Sequence, residues 1–391
     1  MNKKLYIESG WLSLNKMGEE LCGDRVECIN LDDSFLMVLA DGLGSGVKAN
    51  ILSTLTSKII STMLASGLPI EECVDTIAQT LPVCSQRKVA YSTFTILQAF
   101  KYTGQVNITQ FDNPSVIILR DGKSICYDAE KRVIAGKNIY ETRFDGKIGD
   151  LFIMMSDGAI HAGVGTVLNF GWQEPEIIEY AQCKYTPDMS AKSMAATICD
   201  ACRDLYMDMP GDDTTVAALR LRRRQHVGLM IGPPVNPADD HDIISRFFAE
   251  EGKHIVCGGT TSTIVSRFLD KPIRTSLDYY DPKIPPTGSI EGVDLVTEGV
   301  VTLSRVVELA EKYISTQDTD SGWRSGKDGA SQIACMLFEE ATDISFYVGR
   351  AINPAHQNPN LPIGLSIKMR LIKDLSKLLE QMGKRVEMTY Y

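Results

Sequence analysis

The sequence predicts an α+β protein built from two domains, residues 1–222 and 223–391. Its 391 residues exceed the roughly 100–200 residues of a typical single domain. Up to about residue 222, short strands joined by hairpins accompany helices grouped in two blocks, which favours α+β layers over a doubly wound sheet. From residue 226 onward, strands and helices alternate singly, as in an α/β layered domain with a largely parallel sheet.

The elements of the first domain follow from apolar spacing and turn residues. Strands are expected at 34–40, 91–100, 105–111, 115–119, 124–128, 151–156 and 214–221. Helices are expected at 47–66, 70–81 and 189–206. The runs SFLMVLA and LFIMMS are continuously apolar, which predicts strands buried on both faces. Asp121-Gly122 predicts a hairpin turn.

The second domain alternates regularly. Strands are expected at 227–232, 254–259, 294–299, 344–349 and 385–391. Helices are expected at 239–251, 260–269, 301–314, 329–341 and 364–382. LMIGPPVNPA and FYVGRAINPA form a weak repeat, in which a strand precedes Gly-x-x-x-Asn-Pro-Ala. The Asn236 and Asn353 loops would either face one shared site or simply start turns and cap helices.

Composition excludes several classes of protein. The formal net charge is −10 and the basic run Arg220–Arg224 lies at the expected linker, so a nucleic-acid surface is not expected. No apolar run is long enough to span a membrane, and Glu8 interrupts the start of the chain before a secretory signal could form. The ten cysteines are widely spread, which indicates reduced thiols and a cytoplasmic protein. Cys199 and Cys202 are expected to pack in the core.

Aspartates at the ends of predicted strands are the candidate functional residues. Asp41-Gly42 and Asp157-Gly158 each follow five or six apolar residues directly. Asp24 precedes Asp41 in a segment that could form its partner strand, and Asp212-Asp213 opens the last strand of the domain. Each acid taken alone would be expected to cap a turn or a helix. Taken as an ordered set, they would repel one another unless a cation lay between them.

A site of this composition favours hard divalent cations. Carboxylate oxygens without nearby His or Cys suit Mg²⁺ or Mn²⁺ and disfavour zinc. Two such ions a few ångströms apart would clamp a phosphate and generate a nucleophile from water at neutral pH. The sequence therefore predicts phosphate-ester chemistry in the first domain.

The ordered motifs resemble the SpoIIE-type branch of the metal-dependent protein serine/threonine phosphatases, the bacterial side of the protein phosphatase 2C (PPM) superfamily. These motifs are Gly23-Asp24, VLADGLGSG (38–46), YSTFTIL (91–97), IMMSDGAIHAG (153–163) and GDDTTVAAL (211–219). The resemblance covers about residues 1–222. It implies a phosphatase 2C-like α/β/β/α sandwich of two antiparallel sheets, with the helix after the GLGSG motif packed over the sheet that carries the metals.

The resemblance also implies roles for individual residues. Asp41 would bridge two Mn²⁺ or Mg²⁺ ions, with the carbonyl of Gly42 as a further ligand. Asp24, Asp157 and one acid of the 212–213 pair would complete the set, and we expect Asp212 rather than Asp213. A metal-bridging water would then hydrolyse phosphoserine or phosphothreonine without a phosphoenzyme.

The substrate implied by the resemblance is a regulatory phosphoprotein, such as an antagonist of an anti-sigma factor. One departure concerns the central hairpin, where relatives often have Gly-His or Gly-Ser before proline and this chain has Asp112-Asn113-Pro114. Two alternatives remain open: a non-catalytic phosphatase-like sensor or scaffold, and a dimetal phosphatase that cleaves a small phosphate ester.

The second domain is expected to be regulatory or ligand-binding. A Gly258-Gly259-Thr260-Thr261 turn precedes a helix, where backbone N–H groups and hydroxyls could bind an anion, although Thr260 could equally be only an N-cap. Thr297-Glu298-Gly299 ends another strand. These strand ends would gather at one edge of the sheet, so a small-molecule or phosphate-bearing ligand is expected there.

Overall fold

The computed structural model describes residues 5–80, 92–276, 278–315, 322–351 and 363–391. The chain divides into an N-terminal unit, Met1–Arg223, and a C-terminal unit, Arg224–Tyr391. Among the described residues, no helix combines the length and the apolar character needed to cross a bilayer.

The N-terminal unit contains eleven strands and five helices within its described residues. The strands are β1 (Tyr6–Leu14), β2 (Asp24–Asn30), β3 (Ser34–Gly42), β4 (Ser92–Phe100), β5 (Gln105–Phe111), β6 (Ile117–Arg120), β7 (Lys123–Ser124), β8 (Glu130–Ile134), β9 (Lys137–Asp145), β10 (Leu151–Met155) and β11 (Thr214–Arg222). The helices are α1 (Gly46–Ala65), α2 (Ile70–Thr80), α3 (Asp157–Ile160), α4 (Glu174–Lys184) and α5 (Ala191–Leu205).

These strands form two antiparallel sheets. One has the order β1-β11-β10-β6-β7 and the other the order β2-β3-β4-β5-β9-β8. The facing surfaces of the two sheets share one apolar core, in which Met37 and Leu39 of β3 join Phe152 and Met154 of β10. The predicted antiparallel sandwich is confirmed.

Helices cover the outer faces of both sheets. Leu36 and Val38 of β3 pack with Ile60 of α1, and Ile153 of β10 packs in a cluster with Met194 of α5. β3 and β10 are therefore buried on both faces, which explains why both read as continuous apolar runs rather than as alternating ones.

Some predicted elements of this unit were wrong or missing. The segment 124–128 is not a strand, because β7 ends at Ser124 and the chain leaves the sheet after Ile125. The strands β1, β8 and β9 and the helices α3 and α4 were not predicted. β8 is mostly exposed at the edge of its sheet, so it carries little apolar periodicity. Residue 91 of the predicted strand at 91–100, and residue 81 at the end of the second helix, lie outside the described residues.

The C-terminal unit alternates strands with helices. Its strands are β12 (His226–Ile231), β13 (Lys253–Cys257), β14 (Arg274–Thr275), β15 (Gly288–Ser289), β16 (Leu295–Thr297), β17 (Asp343–Val348) and β18 (Arg385–Tyr390). Its helices are α6 (Asp240–Ala249), α7 (Gly259–Leu269), α8 (Val300–Ile314), α9 (Gly329–Ala334), continued by a π-helical turn (Cys335–Glu340), and α10 (Ile363–Gln381). Short 3₁₀ helices occur at Pro237–Asp239 and Gly322–Ser325.

The sheet of this unit is largely parallel, as predicted. Its order is β14-β15-β16-β13-β12-β17-β18, and the five strands from β16 to β18 in that order run parallel. The chain proceeds from β12 outward to β16 on one side, then returns to β17 on the other. The carboxyl ends of β12 and β17 therefore flank the point where the strand order reverses.

The two copies of the predicted repeat meet at this point. The Gly349 N–H donates to the carbonyl of Ile231 (2.9 Å), and a Cβ on Gly349 would lie 2.1 Å from the carbonyl oxygen of Pro233. The Asn236 side chain accepts from the Ala238 N–H (3.2 Å) and so caps a short 3₁₀ helix. Asn353 lies outside the described residues. In the first copy, Asn-Pro therefore has the capping role.

Candidate active site

The four strand ends that carry aspartates meet at one place in the N-terminal unit. Asp24 begins β2 and lies directly opposite Asp41 near the end of β3. Asp157 follows β10 in the other sheet, beside the start of β11. Ser156 joins the two sheets, because its Oγ donates to Asp24 Oδ2 (2.7 Å) and accepts from the Thr215 N–H (2.9 Å).

Asp24 is a buried carboxylate with incomplete hydrogen bonding. Its Oδ1 is buried and has no hydrogen-bond partner among the described residues. Burial raises the pKa of Asp24 well above the ordinary carboxyl range, and the negative charges of Asp213 and Asp157 raise it further, against the hydrogen bond from Ser156. A bound cation would remove this unfavourable interaction.

Asp41 lies at the centre of the group. Burial is the main cause that raises the pKa of its carboxyl far above the usual value, and the charges of Asp24 and Asp157 come next. Asp212 adds to the same effect. The Ser92 hydroxyl donates to the Asp41 backbone carbonyl (2.6 Å) and fixes the strand at this position. The predicted carboxylates thus interact electrostatically as one cluster.

The adjacent acids Asp212 and Asp213 both reach the cluster, from different sides. Asp213 is buried, its Oδ1 accepts from the Lys16 N–H (3.0 Å), and its Oδ2 has no partner among the described residues. The Asp212 side chain is 41% exposed and lies 3.9 Å from Lys16 Nζ. Burial and the charge of Asp157 raise the pKa of Asp212. Either acid is therefore placed near a site for a cation.

Glycines allow the surrounding backbone to approach the cluster closely. A Cβ on Gly42 would lie 2.1 Å from the carbonyl oxygen of Ala49 in α1. A Cβ on Gly158 would lie 2.1 Å from the carbonyl oxygen of Asp213, and one on Gly23 would lie 2.7 Å from Asp213 Oδ2. Each predicted Asp-Gly pair thus needs its glycine because another chain segment occupies the space of a side chain.

The donor set fits hard divalent cations. The donors are carboxylate oxygens, two of which are buried without a partner in the described part of the chain. Burial and the charges of Asp24 and Asp213 hold the pKa of the Cys22 thiol well above its ordinary value, so this thiol stays protonated beside the cluster in the metal-free chain. Over the described residues, no three His, Cys, Asp or Glu side chains have the spacing of a formed metal site.

Three residues of this region were missed by sequence reasoning. Ser156 joins the sheets, and the sequence could have indicated it, because it is the last residue of the buried run LFIMMS. Lys16 supplies a backbone donor and an ammonium beside the acids, but it lies between elements where no pattern marks it. Asn113, in the atypical Asp-Asn-Pro turn, contacts Thr93, which is paired with Asp41.

In the C-terminal unit, the predicted ligand edge is tightly packed. The Gly232 N–H donates to Thr261 Oγ1 (2.9 Å), which joins the end of β12 to α7. Gly258, at φ +101°, precedes α7 as its N-cap, so Thr260 is not the cap. Glu298 Oε2 accepts from the Val301 N–H (2.9 Å) at the start of α8. A cavity beside Gly232 and Thr261 has about 10 Å³, the lower limit for one water molecule.

Comparison with known proteins gives one family and several solved structures. Residues 32–222 match the family model described as Stage II sporulation protein E (SpoIIE). No protein with a curated description matches the chain. The chain is similar to the structure of the PP2C phosphatase domain and a fragment of the regulatory domain of the cell fate determinant SpoIIE from Bacillus subtilis, with 20% identity and a TM-score of 0.49 over 57% of this chain and 64% of that one.

Two further structures are similar at comparable levels. The RsbU and RsbW domains of a Mycobacterium tuberculosis protein match with 17% identity and a TM-score of 0.45, over 56% of this chain and 61% of that chain. RsbX in complex with magnesium matches with 20% identity and a TM-score of 0.40, over 56% and 98%. The chain thus spans less than two thirds of the SpoIIE structure described above.

Proposed function

Because residues 32–222 match the SpoIIE family model, we propose that this chain is a metal-dependent protein serine/threonine phosphatase of the PP2C type. The observation that supports the proposal best is the cluster of aspartates from four separate strand ends. Two of its buried carboxylate oxygens have no hydrogen-bond donor within the described residues. Such a cluster is costly for the fold unless it binds cations.

The proposed ligands are Asp24, Asp41 with the carbonyl of Gly42, Asp157, and Asp212 in preference to Asp213. Two Mn²⁺ or Mg²⁺ ions, when bound, would neutralise the phosphate charge. They would also lower the pKa of a bound water, so that it could act as a nucleophile at neutral pH. Ser156 holds the Asp24 carboxylate in place through its hydroxyl. The overall reaction consumes one water, breaks the bond between phosphorus and the serine or threonine oxygen, and releases the hydroxyl side chain and inorganic phosphate.

The proposed substrate is a phosphorylated regulatory protein, such as an antagonist of an anti-sigma factor. We propose a regulatory or ligand-binding role for the C-terminal unit, with a small or phosphate-bearing molecule at the carboxyl ends of its parallel strands. The tight packing around Gly232 means that such a ligand would have to displace side chains there.

Hydrolysis of p-nitrophenyl phosphate and of a phosphoserine peptide, measured across a Mn²⁺ titration, tests the catalytic proposal. Asp41→Asn and Asp157→Asn are expected to abolish turnover. Asp121→Asn is the matched control, since Asp121 precedes a glycine in a turn at φ +51° where asparagine is equally tolerated. Turnover unaffected by Asp41→Asn would contradict the proposal.

Two other outcomes identify the alternatives. Metal binding detected by calorimetry without turnover of any phosphate ester would favour the non-catalytic sensor. Hydrolysis of small phosphate esters but not of phosphopeptides would favour a metabolite phosphatase.

A further inference from the structure

An open groove of about 550 Å³ lies in the N-terminal unit and has no role in the proposed chemistry. Its walls are the segments 110–118 and 124–129, together with Tyr140 of β9 and two residues of α4, Glu174 and Ile178. The volume is within the range of roughly 300–1,000 Å³ that is typical of ligand sites. Sequence reasoning missed it, because it predicted a strand where the chain leaves the sheet.

The groove exists because two neighbouring segments diverge. The Ile125 N–H donates to the carbonyl of Ile118 (2.9 Å), and beyond this bond the chain departs from β6. The Tyr127 hydroxyl donates to Gln110 Oε1 (3.3 Å), and this hydrogen bond connects two segments that line the groove. At the other side, Asp112 adopts φ +54° and turns the chain out of β5. The groove is thus a built feature with hydrogen-bonded walls.

One end of the groove adjoins the aspartate cluster. Asn113 lines the groove and is held by two threonines of β4: its Oδ1 accepts from Thr93 Oγ1, and its Nδ2 donates to Thr95 Oγ1 (3.2 Å). Thr93 lies directly opposite Asp41 in the sheet. Paired residues on neighbouring strands are about 5 Å apart. A polypeptide whose phosphate lay at the cluster would therefore reach the groove within a few residues.

The lining of the groove has a defined charge. Its only charged residues are two acids, Asp112 and Glu174, and both lie within the described part of the chain. The apolar part of the lining includes Ile178 and Tyr140, the latter 40% exposed, with Val116 buried beneath. This lining complements an extended chain that carries a basic residue beside an apolar one.

We propose that this groove binds the segment of the phosphoprotein substrate next to the phosphorylated residue, and that Asp112 and Glu174 select a Lys or Arg in that segment. This inference rests on the proposed phosphatase function for its choice of occupant. The basic side chain would pair with the acids while the phosphate lies at the aspartate cluster. The groove would thus give specificity to a site whose proposed metal ions bind no feature of the substrate other than its phosphate.

Binding of dephosphorylated peptides tests the groove without requiring turnover. Fluorescence anisotropy is measured with labelled serine peptides that differ only by a single Arg or Gln, moved through the positions flanking the serine. At its best position, the Arg peptide is expected to bind roughly three- to fivefold more tightly than its Gln counterpart. Glu174→Gln is expected to bring this ratio close to one. Glu179→Gln, the same change at an exposed position of α4 outside the lining, is expected to preserve it.

The outcomes separate this inference from the proposed function. Equal binding of Arg and Gln peptides by the unaltered chain, or an unchanged ratio in Glu174→Gln, would overturn the groove proposal. Metal-dependent hydrolysis of p-nitrophenyl phosphate by the unaltered chain reports the catalytic proposal independently. A ratio that Glu174→Gln abolishes would support the groove whether or not that hydrolysis is observed.

Discussion

The two units place groups of opposite charge at the ends of their buried strands. In the N-terminal unit, Asp24, Asp41 and Asp157 converge where two antiparallel sheets meet, and burial together with the neighbouring carboxylates raises the pKa of Asp24 and of Asp41. In the C-terminal unit, glycine follows β12, β13 and β17, and the buried ammonium of Lys368 donates to the carbonyl of Gly349 at the point where strand order reverses.

This difference separates a place where like charges accumulate from one where a buried ammonium is hydrogen-bonded within the fold. Like charges held together in a buried site oppose folding, and the N-terminal unit keeps them there through close backbone packing at Gly42 and Gly158. At the edge of the C-terminal unit, the Gly232 N–H is paired with Thr261 Oγ1 within the fold, whereas Asp240 Oδ1 and the Tyr391 hydroxyl are buried without a partner among the described residues. The contrast predicts different consequences for substitutions at the two places.

Asp24→Asn is expected to give the largest functional effect. Loss of one proposed metal ligand should lower kcat/KM on the order of a thousandfold. The same change should stabilise the metal-free protein at pH 7, because Asn removes a buried charge that its neighbours repel. Since the folded-state pKa of Asp24 is raised, the metal-free unaltered chain loses stability as pH rises above about 4, and the advantage of Asn should be smaller at pH 5 than at pH 7.

Steady-state kinetics with Mn²⁺ and thermal unfolding in EDTA measure both effects of Asp24→Asn. A variant that loses activity and also loses metal-free stability would contradict the view that these carboxylates oppose folding.

Gly42→Ala and Gly259→Ala compare the two units at the backbone. A Cβ at Gly42 would overlap the carbonyl oxygen of Ala49 at 2.1 Å, so the variant is expected to lose about 3 kcal/mol or more of unfolding free energy. A Cβ at Gly259, the first residue of α7, meets nothing within 4 Å. Alanine there should stabilise by up to about 1 kcal/mol. Hydrogen-exchange mass spectrometry measures the stability of each unit separately. Equal losses of unfolding free energy in the two variants would contradict the prediction.

Mn²⁺ is expected to stabilise the N-terminal unit alone. At a concentration one hundred times its Kd, a ligand adds about 2.7 kcal/mol, which for a unit of this size corresponds to roughly 5–10 °C. Because protons compete for carboxylates of raised pKa, the increase should be larger at pH 8 than at pH 6. Calorimetry with and without EDTA measures it, and Asp157→Asn should abolish it. If hydrogen exchange showed that Mn²⁺ stabilises the C-terminal unit by a comparable amount, the predicted difference between the two units would be wrong.

Much of this fold could be predicted because the two strands that precede the candidate acids are fully buried and continuously apolar. β3 and β10 are buried on both faces, so their apolar runs identified them and marked the acids that follow. β8 was missed because it is an edge strand exposed to solvent, and β9 was missed because it has only two buried positions, although it lies between β5 and β8. The parallel sheet of the C-terminal unit was predictable from the simple alternation of strands and helices.

The details of the candidate site depended on contacts across the fold. Asp212 and Asp213 are neighbours in sequence, yet one is half-exposed and the other is buried beside Lys16. No spacing rule distinguishes two adjacent acids whose environments come from a distant loop. Likewise, the contact of Asn113 with Thr93 joins residues twenty positions apart and depends on the turn at Asp112. The groove beside it could not be inferred from local sequence.

Lys368→Met is expected to give the smallest effect and to sharpen the comparison from the other side. Burial lowers the pKa of Lys368, so the folded C-terminal unit holds its proton less tightly than the unfolded chain. Stability contributed through this group therefore rises as pH increases toward the ordinary lysine value of about 10.4. Methionine should add about 1 kcal/mol at pH 7, because it removes a buried charge at the cost of one hydrogen bond to Gly349, and this gain should vanish near pH 10.

Urea unfolding of both proteins at the two pH values measures the difference for Lys368→Met, and other titrating groups cancel in the comparison. A methionine variant that is less stable at pH 7 would mean that the ammonium is held by more than a single carbonyl. Lys368 would then resemble the aspartates of the cluster, because its charge would be stabilised by a partner of opposite sign.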